Sequence, residues 1–83
     1  MKESEKQILL ICQEECAEVT QAISKVFRFG YDSVYNDRTN HQRLTEEVGD
    51  LLAMIDLMFE NGIIDEFKNF QHLTSSFLQN IDN

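Results

Sequence analysis

Apolar residues in this chain recur mostly three and four positions apart, the spacing of a helix face, and no run alternates well enough to read as a strand. Three helices follow. The first is predicted from about Ser4 to Phe29. Ser4-Glu5-Lys6-Gln7 fits a capping box, and Gly30 stands where a left-handed C-cap belongs. The second is predicted from Thr39 or Asn40, either of which can cap it, to Asn61, with Gly62 as its stop. The third is predicted from Asp65, as its cap, to about Ile81, with Phe67, Phe70, Leu73, Phe77 and Ile81 at helical spacing. Residues 31–38 are predicted to form a polar loop carrying aromatics, where Tyr-Asp-Ser and Tyr-Asn-Asp favour turns.

Two stretches are too apolar for a lone three-helix domain. Ile8-Leu9-Leu10-Ile11-Cys12 is apolar on every side of its helix, and so is Leu51 to Phe59 apart from Asp56. A helix apolar all round must be surrounded. The expected architecture is therefore all-α: one domain over residues 1–83, with three helices per chain packed into a bundle as a homodimer or homotetramer. The competing expectation is a monomer covered by some other partner or prone to aggregate.

Composition narrows the function. The chain has 83 residues, three glycines and no proline, and a domain this small buries only about 60% of its unfolded surface. A deep site therefore needs help from a neighbouring subunit. The net charge of -8 disfavours a nucleic-acid polymer, whose phosphates demand a basic surface. No signal-like start and no apolar run long enough to span a membrane is present. Cys12 and Cys16 are four apart on one helix, a poor disulfide geometry, and are expected to be buried reduced thiols in a cytoplasmic protein.

The candidate chemistry lies in two acidic clusters on consecutive helices, Glu14-Glu15-Cys16-Ala17-Glu18 and Glu46-Glu47-Val48-Gly49-Asp50. Residues three apart share a helix face, so Glu15 projects with Glu18, and Glu47 with Asp50. Each pair adjoins an apolar stripe: Val19, Ile23 and Val26 beside the first, Val48, Leu51 and Leu52 beside the second. If the helices pack antiparallel on those stripes, the four carboxylates meet. Crowded carboxylates must protonate, find cations or bind metal. Lysine and arginine number only seven, so a hard cation with oxygen ligands is the natural partner. Magnesium (Mg2+) suits it, and manganese (Mn2+) is an acceptable substitute. Neither cluster has the Glu-x-x-His of di-iron bundles. Gly49, costly inside a helix, suggests close approach of a helix or a ligand, or simply a tight helix crossing without chemistry. Asp56 lies about 240° around the helix from Asp50 and is expected to make a buried interface hydrogen bond instead.

Glu14-Glu15-x-x-Glu18 followed by Glu47-x-x-Asp50, with Ala17-Glu18-Val19, Ala22-Ile23 and Val48-Gly49-Asp50-Leu51-Leu52 around them, resembles the signature of MazG-like all-α nucleoside triphosphate pyrophosphohydrolases over roughly residues 13–59. The resemblance implies hydrolysis of a (deoxy)nucleoside triphosphate at the α–β bond to a nucleoside monophosphate and pyrophosphate. It implies that Glu15, Glu18, Glu47 and Asp50 bind magnesium, and that Glu14 holds a further ion or orients the attacking water. Lys25, two turns beyond Glu18 and about 10 Å away along nearly the same face, could reach a phosphate. Arg28 could do so from a neighbouring stripe. Each is also placed as an ordinary cation near a helix C-terminus. Phe27 reads as core, while Phe29, Tyr31 and Tyr35 are candidates for stacking on a base.

Some relatives carry an aromatic one turn after the final aspartate, where this chain has Met54. The related phosphoribosyl-ATP pyrophosphatases usually have an Ala-Asp-Leu context and a following Tyr-His, which Gly49-Asp50-Leu51-Leu52-Ala53-Met54 lacks. A non-catalytic helical oligomer with a regulatory role accounts for the apolar helices equally well. It does not account for acids beside the apolar stripes.

Overall fold

A computed structural model of the chain describes residues 1–65 and 70–82. Its order is α1 (Glu3–Phe29), β1 (Val34–Tyr35), β2 (Arg38–Thr39), α2 (Asn40–Glu60) and α3 (Phe70–Asp82). The all-α expectation holds, with one short hairpin added.

Helix α1 begins slightly earlier than its sequence suggests. The Glu5 carboxylate, rather than the Ser4 hydroxyl, meets the free amides: the Lys2 backbone N–H donates to Glu5 Oε1 at 3.2 Å. Glu3 and Glu5 also place negative charge at the positive end of the helix dipole. At the other end Gly30 has φ 85° and ψ 166° and donates its N–H to Val26 O at 2.8 Å. The positive φ calls for glycine, but the ψ lies outside the left-handed helical region. The chain therefore leaves α1 in an extended direction.

That exit feeds the feature missing from the hydrophobic pattern. Val34 pairs with Thr39 and Tyr35 with Arg38 in an antiparallel two-stranded ribbon. Asn36 and Asp37 turn it with φ of 53° and 66°, as a two-residue type I′ turn requires. Two-residue strands are too short to show alternation, so only the Asn-Asp pair signals them.

Thr39 then caps α2. Its hydroxyl accepts from the Gln42 N–H at 3.1 Å, and Gln42 Oε1 accepts from the Thr39 N–H at 2.9 Å. Both bonds of a capping box are present. Thr39→Ala is expected to cost about 1 kcal/mol, read as a lower denaturant midpoint with an unchanged slope. At the far end Ile63 N–H reaches Met58 O and Gly62 N–H reaches Phe59 O. With Gly62 at φ 68°, this is a Schellman ending.

Asn40 joins the two long helices. It is 5% exposed, and its Nδ2 donates to Gly30 O at 2.9 Å and reaches Lys25 O at 3.5 Å. Its backbone N–H donates to Ser33 O, His41 N–H donates to Tyr31 O, and the Tyr31 and His41 rings meet edge to face at 5.5 Å. From this junction α2 runs back along α1: Gly30 lies by Asn40, Glu18 by Glu47 and Glu15 by Asp50. The helices are thus antiparallel, as their acid pairs require.

The core is thin. Among the described residues the buried apolar side chains are Cys12, Ala22 and Met54. Two expectations, for Cys16 and Phe27, are corrected accordingly. Cys16 is exposed although Cys12 is buried, and both thiols are free. Phe27 is 86% exposed rather than core. Asp56 is exposed in this chain, and a Cβ added at Gly49 would meet nothing within 4 Å, so neither is closed in by the chain's own helices. Leu10, Leu52, Phe77 and Ile81 lie exposed along the helices. The predicted start of the third helix, with Phe67, lies outside the described residues, as do the side chains of Phe70 and Leu73. The molecule measures 40 × 38 × 14 Å. These are extents of the Cα trace, and the shortest is about a third of the other two.

Candidate metal centre

Antiparallel packing of α1 on α2 does to the acids what their spacing anticipates. Glu15 and Glu18, one turn apart on α1, face Glu47 on α2, and one oxygen from each lies within 4.8 Å of the other two. Asp50, one turn beyond Glu47, is close enough to repel both Glu15 and Glu47. Glu14 stands on the α1 side and acts on Glu15.

The electrostatics show unrelieved crowding. Burial first, then the charges of Glu18, Asp50 and Glu14, raise the Glu15 carboxyl above its ordinary value. A hydrogen bond with Glu18, then burial, then repulsion from Glu18, Asp50 and Glu15, push Glu47 up to about 6. With both acids ionised, Oε2 of Glu15 and Oε2 of Glu47 are buried and have no donor facing them. Such atoms seek a proton or a cation. An octahedral magnesium with oxygens at 2.0–2.1 Å holds neighbouring ligands about 2.9 Å apart and opposite ones about 4.2 Å apart. Oxygens within 4.8 Å of one another reach that range by closing at most about 2 Å, a movement that side-chain rotation supplies. An all-oxygen donor set of several acids fits a hard divalent cation.

This crowding has a measurable consequence without any metal. The folded Glu47 binds its proton more tightly than the unfolded one, whose ordinary value is 4.5. Stability therefore falls as pH rises through the window from that value to about 6. The metal-free chain is expected to melt higher at pH 5 than at pH 7. Saturating divalent cation is expected to reverse the order, because protons and metal compete for the same oxygens.

The two predicted cations share a groove along α1, and one of them also reaches the acids. Lys25 lines the small cavity that also holds Glu18 and Glu47. Arg28 lines the shared groove with Lys25, Thr20, Gln21 and Ser24, its guanidinium 5.2 Å from the Phe29 ring centre. Of the candidate stacking residues, Phe29 and Tyr35 line a second cavity beneath the hairpin. Met54, standing where some relatives have an aromatic, is part of the core.

Arg43 and Asn40 are absent from the sequence-based list. Arg43 lines both cavities, and its Nη2 donates to Tyr35 O at 3.1 Å. Arg43 is four residues before Glu47 on the same face of α2, so helical spacing alone could have singled it out. Arg38 pairs with Glu46, which removes Glu46 from the acid cluster.

Among the described residues no helix is long and apolar enough to cross a membrane. Neither the curated proteins nor the solved structures contain a match to this chain. The family model of the MazG nucleotide pyrophosphohydrolase domain matches residues 3–72, a span that takes in α1, the hairpin, α2 and both acid clusters. The chain belongs to the MazG nucleotide pyrophosphohydrolase family.

Proposed function

We propose that this chain hydrolyses (deoxy)nucleoside triphosphates between the α and β phosphates, releasing a nucleoside monophosphate and pyrophosphate, with Glu15, Glu18, Glu47 and Asp50 holding magnesium or, in its place, manganese. The observation that carries this is the convergence of Glu15, Glu18 and Glu47 with two buried carboxylate oxygens left without a donor, in a chain of a nucleotide pyrophosphohydrolase family. Magnesium bound there neutralises the triphosphate and makes its phosphorus easier to attack.

The chain's own groups do the remaining work. Glu14, at the α1 edge of the cluster, orients the attacking water or holds a further ion. Lys25, from the wall of the same cavity, holds a phosphate oxygen. Arg28, one turn further along α1, adds positive charge near the outer phosphates. Phosphoryl transfer asks mainly for such positioning and charge stabilisation. A panel of standard and modified nucleoside triphosphates, assayed for pyrophosphate, tests the reading. Release of orthophosphate instead would move the cleaved bond, and no release from any nucleotide would refute hydrolysis.

The working form is proposed to be a homodimer or homotetramer in the cytoplasm, where free thiols such as those of Cys12 and Cys16 persist. The chain's accessible surface is 6820 Å², against about 5,100 Å² for a compact monomer of its mass. The excess, about 1,700 Å², is ample for an interface, which typically takes about 800 Å² per partner. Leu10 and Leu52 are exposed on the helices that need cover. Light scattering is expected to give a dimer or tetramer mass, and Leu10→Lys with Leu52→Lys is expected to lower it. A monodisperse monomer of the unaltered chain at tens of micromolar would refute the assembly.

A further inference from the structure

Two neighbouring cavities share a wall. One, of about 130 Å³, holds Glu18 and Glu47. The other, of about 390 Å³, lies under the hairpin against Phe29, Val34 and Tyr35, a volume within the range of small-molecule sites. Lys25 and Arg43 line both.

Arg43 is held in an unusual way. It stands four residues before Glu47 on one face of α2, a spacing at which opposite charges ordinarily pair. Among the described residues it makes no ion pair with Glu47 or any other acid. Its Nη2 is tied to the Tyr35 carbonyl at 3.1 Å, and its guanidinium carbon lies 5.5 Å from the Tyr35 ring centre. Its Nε is buried without an acceptor, while Oε2 of Glu47 is buried without a donor. One N–H of a guanidinium and one oxygen of a carboxylate are thus each left without a partner beside one cavity. Leaving either so is costly unless a ligand completes it. A ligand that satisfies both presents a cation to the acids and an anion to the guanidinium, as a metal-complexed polyphosphate does. A polyphosphate alone has no use for the larger, aromatic-walled cavity beyond Arg43.

We propose that Arg43 is a substrate-binding residue that joins two subsites: metal-bound phosphates lie in the Glu18–Glu47 cavity, and the attached nucleoside lies under the hairpin between Phe29, Val34 and Tyr35. The inference rests on the hydrolase reading for the identity of the polyphosphate. Because Arg43 is anchored to the Tyr35 carbonyl, the hairpin that walls the nucleoside subsite also fixes the group that grips the phosphate. Base preference is then set by the hairpin. The Asn36–Asp37 turn and the Asn40 junction hold it in place.

Calorimetric titration of the full chain with magnesium present tests this. The probes are an α,β-methylene nucleoside triphosphate and inorganic tripolyphosphate. The unaltered chain is expected to bind the nucleotide analogue at least about tenfold more tightly than tripolyphosphate, the difference being the nucleoside's own contacts. Arg43→Ala is expected to weaken both probes by about tenfold or more, and Arg43→Lys, which keeps the charge and loses the planar fork, to recover only part of that. Val34→Trp, at an exposed strand position, fills the hairpin cavity and is expected to weaken the analogue alone. Far-UV circular dichroism establishes that each variant is folded.

Unchanged binding in both Arg43 variants overturns the phosphate role. Equal weakening of both probes by Val34→Trp overturns the nucleoside placement, and so does equal affinity of the unaltered chain for the two probes. Binding as expected without hydrolysis of any nucleotide refutes the hydrolase reading and leaves the two subsites standing. Hydrolysis by the unaltered chain, with KM unmoved in Arg43→Ala, does the reverse.

Discussion

Replacing Glu47 by glutamine is expected to lower pyrophosphate release by at least about 10²-fold while leaving helicity and assembly intact. Glutamine has nearly the shape of glutamate, so the packing of α1 on α2 changes little. What it removes is one of three carboxylates whose oxygens meet within 4.8 Å. A structural role for Glu47 predicts the opposite pattern, lost stability with activity falling only in proportion. Stability itself should move the other way. Glu18, Asp50 and Glu15 all repel the ionised Glu47, so Glu47→Gln is expected to raise the melting temperature of the metal-free protein at pH 7. A variant more stable and inactive separates chemistry from folding in one experiment. Retained activity would take Glu47 out of the site.

Magnesium is expected to raise the melting temperature of the unaltered chain strongly. A ligand that binds only the native state at one hundred times its Kd adds about 2.7 kcal/mol. For a domain of this size each kcal/mol moves Tm by about 4–8 °C, so the expected rise is about 10–20 °C. It is large because the ion relieves repulsion already present in the folded chain, where Glu15 and Glu47 each bury an oxygen that lacks a donor. Glu47→Gln should show little of this rise, and a monovalent salt at matched ionic strength separates specific binding from screening. No rise at millimolar magnesium in the unaltered chain would count against the metal centre and in favour of a helical scaffold.

The acid cluster was legible from sequence because a helix converts spacing into direction. Glu15 with Glu18 and Glu47 with Asp50 each fall on one face, and the apolar residues beside them say which face packs. Helix ends were legible where one residue decides them, as at Thr39 and Gly62. The start of α1 was not, because Ser4 and Glu5 both offer an oxygen to free amides and the choice depends on where the chain enters. The hairpin escaped because two-residue strands carry no periodicity. Arg43 was legible only in part: its spacing puts it on the Glu47 face of α2, where an opposite charge ordinarily forms an ion pair. Only the fold shows its guanidinium tied to Tyr35 instead. Burial was the least legible property. Cys16 and Phe27 have apolar or weakly polar side chains that composition assigns to a core, yet a single chain buries neither.

A chain whose described buried apolar residues are Cys12, Ala22 and Met54 has little interior, and this bears on how long the protein survives. Where neighbours must supply the missing layer, the folded population follows the law of mass action. Dilution then acts as a denaturant, and a melting point quoted without protomer concentration describes the tube rather than the molecule.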